Sequence, residues 1–159
     1  MRKALMIGLV TAGWASLLPA MAADVHDPAG EKAMHDYVLT MSKVKAYDAA
    51  SSAATAALKA DSSLKAEADK SSNEPDKTFA DIKAKFIRHP RLMAFYTKQG
   101  LTADDAVLLP LTLMSACTVA QYPQIAAKMA TTVSPGQVAF CKQNMGTLKT
   151  MKFFSGGGE

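Results

Sequence analysis

Between Ala106 and Ala127 the chain carries no charged side chain. Val107, Leu108, Leu109, Leu111, Leu113, Met114 and Val119 make this its most apolar part beyond the N-terminal region. A helix that is apolar all round must lie at the centre of a core or inside a membrane, because no face of it suits water. The strongly apolar portion is only about 14 residues, short of the ~20 that a span needs. Pro110, Pro123, Thr112, Ser115 and Thr118 interrupt it. Residues 103 to 122 are therefore expected to form a buried central helix. Thr102 is placed to cap its start, with Asp104 and Asp105 in the first turn, where the helix dipole favours acids.

The N-terminus reads as an export signal. Arg2 and Lys3 give a positive start, Leu5 to Leu18 are uncharged, and Ala20-Met21-Ala22 supplies the small-x-small pattern of a cleavage site. Cleavage is expected after Ala22, with Ala23 as the alternative. No Cys follows the site, so a lipid anchor there is not indicated. Removing 22 of 159 residues leaves 137, the size of one domain. The balance then falls from +4 to +2, which argues against nucleic acid or a strongly anionic membrane as partner.

Abundant alanine, few aromatics and the lack of alternating apolar and polar runs favour helix over strand. Asp27-Pro28 suits a helix start. From there to residue 60 the pattern fits one long helix or two joined near Thr40. Ala49 to Ala60 holds seven alanines, which either admit a close helix neighbour or lie exposed. The polar stretch 61–77 reads as a loop, with at most a helical turn at Leu64 to Ala68. Phe79, Ile82 and Phe86, with Ile87 beside them, make a helical stripe. His89-Pro90 breaks it and starts a short helix through Leu92, Met93, Phe95 and Tyr96, which Gly100 ends. The last helix opens with Ser134-Pro135 and a capping box closed by Gln137, between Val133 and Val138 as a hydrophobic staple. Its inward stripe is Val138, Cys141, Met145 and Leu148. Residues 155–159 read as a glycine-rich flexible tail.

Cys117 and Cys141 are the two cysteines, and in an oxidising compartment they are expected to pair. Helical rise sets a condition. Cys141 lies about 9 Å into its helix at 1.5 Å per residue. If the central helix stops near Gln121, Cys117 is about 6 Å from its end and two antiparallel neighbours bring the sulfurs level. If the helix runs on to Met129, they are out of register. The disulfide therefore requires a break at Pro123. Two buried free thiols are the alternative.

No pattern carries recognisable catalysis or a cofactor. His26, His35 and His89 share no helix face and form no metal signature. Met34, Met41, Met93, Met114, Met129, Met145 and Met151 are soft enough for Cu(I). A Met/His metal or haem site is a second reading, though methionine at helical spacing is usually core filler. Asp104 and Asp105 point about 100° apart on a helix, and capping accounts for them. Lys83, Lys85, Arg88, Arg91 and Lys98 form a basic cluster that suits an acidic partner, lipid headgroups or plain solvation.

Leu39-Thr40-Met41-x-Lys43-Val44-x-x-Tyr47, His89-Pro90, Gly100-Leu101-Thr102, the apolar helix and the Ser134-Pro135 start together resemble a group of small exported bacterial proteins. These are helical throughout and functionally uncharacterised. The resemblance implies fold and compartment, with no active site to carry over. The expectation is an all-α, bundle-like domain of about five helices over residues 23–154. Its expected role is a non-enzymatic periplasmic binding or interaction module for a protein or a small apolar ligand, with no cofactor and no transmembrane segment in the mature chain. An enzyme whose site assembles only in three dimensions is the third reading.

Overall fold

In the computed structural model, residues 27–72 and 78–154 are described. The expected signal peptide (1–22) and glycine-rich tail (155–159) lie outside them. Every regular element among the described residues is helical: α1 (Pro28–Asp36), α2 (Met41–Ala60), α3 (Ser62–Ser72), α4 (Phe79–Arg88), α5 (Pro90–Thr97), α6 (Ala103–Gln121), a 3-10 segment (Pro123–Met129) and α7 (Pro135–Leu148). The all-α expectation holds, with more and shorter helices than the five anticipated.

The breaks fall where backbone chemistry puts them. Thr40 interrupts the first long segment, in extended conformation, and its hydroxyl accepts from the Lys43 amide to open α2. Gly100, with φ of 76°, supplies the left-handed residue that follows α5. Thr78, Thr102 and Ser134 each cap a helix in a reciprocal box, with Asp81, Asp105 and Gln137 respectively. Tyr122 ends α6, and Pro123 begins a tighter 3-10 stretch rather than another α-turn.

The expected loop over 61–77 is corrected: eleven of its residues form α3. Asp61 is the reason. Its Oδ1 accepts from the Ser63 and Leu64 amides at 2.9 and 3.0 Å, closing the helix start. Leu64 and Ala68, one turn apart, are then buried together. The stripe on α4 holds at Ile82, which is buried, and at Phe86, which packs against the main core; Ile87 beside it is corrected, at 58% exposed, and Lys85 joins the inward face. A lysine stem can cover apolar surface as a shorter hydrophobe does.

α6 is the axle. It packs against α1, α2, α4, α5, α7 and the 3-10 segment. Ala106, Val107, Leu109, Leu113, Ala116 and Cys117 on it are almost fully buried. The alanine-rich half of α2 does admit a close neighbour: Ala50 and Ala54 are fully buried, and α2 packs on α5. By length and composition α6 is long and apolar enough to cross a membrane, yet 61% of that stretch is buried within the fold. The chain after α7 returns to α2. The Phe153 amide donates to Asp48 Oδ1 at 3.0 Å, and the Phe153 ring meets Tyr47 edge-on at 5.2 Å.

Candidate functional site

Three polar joints and one uncharged surface stand out. The densest joint surrounds Asp105, whose side chain is 7% exposed. One carboxylate oxygen accepts from the Tyr37 hydroxyl and from the Lys43 ammonium, both at 2.7 Å. The other accepts from the Thr102 amide at 3.0 Å and the Thr102 hydroxyl at 2.9 Å. The Lys43 ammonium also lies 5.1 Å from the centre of the Tyr37 ring, so one cation serves carboxylate and π-face together. Burial pushes the Asp105 carboxyl up. The Lys43 ion pair and the donors on Thr102 and Tyr37 outweigh it and hold the carboxyl far below the usual range. Burial, and then the hydrogen bond to Asp105, push the Tyr37 phenol far above its ordinary value. Near neutral pH the pair is therefore a fixed anion and a fixed neutral donor. The arrangement ties the end of α1, the start of α2 and the start of α6 together.

Gln137 makes the second joint. Its Oε1 accepts from the Ser134 amide at 2.9 Å, as its capping role requires. Its Nε2 reaches the carbonyls of Met34, His35 and Tyr37 at 2.7, 3.0 and 2.7 Å. These sit where α1 ends, and helix-end carbonyls lack intrahelical partners. One side chain thus caps the start of α7 and satisfies the end of α1.

Asp27 repeats the device. Oδ1 accepts from the Gly30 amide at 3.0 Å, within α1. Oδ2 accepts from the Phe79 amide at 2.7 Å, the first residue of α4. The Phe79 bond leads in lowering the Asp27 carboxyl below its ordinary value. Gly30 allows the approach, since a Cβ there would stand 2.6 Å from Asp27 Oδ2 and 3.0 Å from Phe79 Cβ.

Cys117 and Cys141 stand at disulfide distance, with Cα atoms 5.2 Å apart. The stop at Gln121 meets the condition set by helical rise. Both residues are buried, at 2% and 0% exposure. The bond therefore sits inside the α6–α7 contact and closes the segment containing the 3-10 turn.

The described histidines have separate partners. His26 lies outside the described residues. His35 stands beside Asp36 at 3.1 Å, and His89 beside Glu67 at 3.1 Å. No group of three or more His, Cys, Asp and Glu among the described residues is placed to hold a metal. Met34, Met93 and Met151 are buried, whereas Met114 is 52% exposed. The basic cluster is largely spent on internal pairs. Lys83 meets Asp104 at 2.7 Å, Arg91 meets Asp61 and Glu67, and Lys85 is buried. Lys98 remains on the surface.

Sequence reasoning located Asp105 and Gln137 as caps and missed their longer reach. A capping box is local and visible within four residues. The partners Tyr37 and Lys43 lie 68 and 62 positions away and have no local signature.

The uncharged surface belongs to the second half of α6 and the turn after it. Met114, Thr118, Gln121 and Tyr122 face solvent, and Pro123, Gln124, Ala126 and Ala127 extend the surface. Tyr122 is 53% exposed. Comparison of the chain with protein-family models, with curated proteins and with solved structures returns no match.

Proposed function

We propose that the chain is an exported, non-enzymatic interaction module. A disulfide-closed helical bundle carries the surface around Met114 and Tyr122 to a protein partner. The observation that carries this reading is the pair of large exposed side chains on a surface without charge from Asp105 to Lys128. Interface centres are depleted in charge and enriched in Tyr and Met. The fixed protonation of Tyr37 and Asp105 supports a structural part for the densest polar cluster, which leaves recognition to the surface. Export is supported by the Arg2-Lys3 start, the uncharged run to Leu18, the Ala20-Met21-Ala22 site and a buried cysteine pair suited to an oxidising compartment. The resemblance to small exported helical proteins points the same way. α6 serves this reading as a core helix, because its first half is enclosed and carries a buried carboxylate.

A photo-crosslinking residue placed at Tyr122, with one at exposed Lys59 as control, tests the proposal in cells that export the protein. The expected result is a discrete adduct from position 122 alone that disappears when Met114→Asp is added. Equal crosslinking from both positions, or an adduct indifferent to Met114→Asp, overturns it.

A further inference from the structure

α3 is attached differently from the other helices. Its buried side chains, Leu64 and Ala68, pack with Leu58 of α2 and Leu92 of α5 in a cluster separate from the main core. The main core includes no α3 residue. Its polar ties to α5 converge on the first turn of that helix. Glu67 Oε1 lies 3.1 Å from His89 Nδ1, and Glu67 Oε2 lies 3.7 Å from Arg91 Nη1. Arg91 also donates to Ser63 Oγ at 3.2 Å and pairs with Asp61 at the α2–α3 joint. The Arg91 side chain is 49% exposed and Asp61 41%, so salt screens their attraction. Asp61 itself is extended, the single non-helical residue between two helices.

A helix of eleven residues is marginal in water by itself. α3 therefore depends on two apolar side chains and a charge network that salt screens at its Arg91–Asp61 end, while α6 depends on the whole bundle. We propose that α3 is a salt-sensitive latch. It opens from α2 and α5 as one unit about Asp61, uncovering Leu58 and Leu92, while the main core and the Cys117–Cys141 bond stay intact. Local opening of this kind requires few buried contacts and accessible polar ties; α3 has two buried apolar side chains, an exposed Arg91–Asp61 tie at its start and a more enclosed Glu67–His89 tie at 28% and 19% exposure.

Hydrogen exchange read by mass spectrometry on the full oxidised chain tests this. Amides of residues 64–70 should exchange well before those of Val107–Val119. Arg91→Met should speed the α3 amides by roughly fivefold, as the loss of exposed ion pairs implies, and 1 M salt should act in the same direction. Leu64→Ala should speed them by about 30-fold or more. In both variants the α6 amides should keep the wild-type rate relative to their own global unfolding. Exchange of α3 and α6 at one common rate in the wild-type chain, or α3 amides whose rate neither Arg91→Met nor 1 M salt moves, overturns the proposal.

Discussion

Asp105 answers to its own helix through Thr102 and to the facing elements through Tyr37 and Lys43. Asp105→Asn removes the charge from both tasks and turns an amide donor toward groups that already donate. Hydrogen bonds to charged groups contribute about 1.5–3 kcal/mol. A loss of roughly 2 kcal/mol in urea unfolding at pH 7 is expected. The pH dependence has a definite sign. The folded carboxyl lies below its unfolded value of about 3.9, so its contribution is complete above that value and is lost as pH falls toward the folded one. The gap between wild type and Asp105→Asn should narrow by about 1 kcal/mol between pH 7 and pH 3. A gap that widens in acid contradicts the assignment. Thr112 is the opposite case. Its hydroxyl is fully buried on α6 without a hydrogen-bond partner among the described residues. A buried unsatisfied group costs about 1–3 kcal/mol, and valine keeps the branched shape. Thr112→Val should therefore raise the thermal midpoint, a result that calorimetry reads directly.

At the scale of the element, the legible parts were those whose cause is local. The cap at Thr102, the box at Ser134, the Asp27-Pro28 start, the left-handed Gly100 and the stop before Pro123 each depend on a few neighbouring residues, and each appears where expected. α3 was not legible because its sequence is mostly Ser, Lys and acids. Its two apolar residues gain meaning only from Leu58 and Leu92 on other helices. The covering of Lys85 and the exposure of Ile87 on α4 are equally nonlocal, since the contact of α4 with α6 decides which residue beside Ile82 and Phe86 is enclosed. The joints at Asp105 and Gln137 were half legible, as caps without their distant partners. The disulfide followed from helical rise plus one proline. Its 24-residue separation implies about 3 kcal/mol of stabilisation by loop closure. Replacing both cysteines by alanine should lower the thermal midpoint by roughly 10 °C in the oxidised protein. An unchanged midpoint would mean that α6 and α7 are held together by packing alone.

The whole molecule is arranged around a single helix that has no polar side to offer. α1, α2, α4, α5 and α7 close over α6, and Asp27, Asp105 and Gln137 tie helix ends that the packing alone would leave open. One face of α6, with Met114, Thr118, Gln121 and Tyr122, stays uncovered next to the covalent closure of α6 on α7. The proposed function links export and recognition: an oxidising compartment would close the cysteine pair, and the closed segment would present the neutral surface. The most direct test is intact-mass analysis of the protein recovered from cells, alkylated before reduction. The account predicts a chain beginning at Ala23 whose two cysteines resist the reagent until the protein is unfolded and reduced. A chain still carrying Met1 to Ala22, with both thiols alkylated in the native protein, would contradict it.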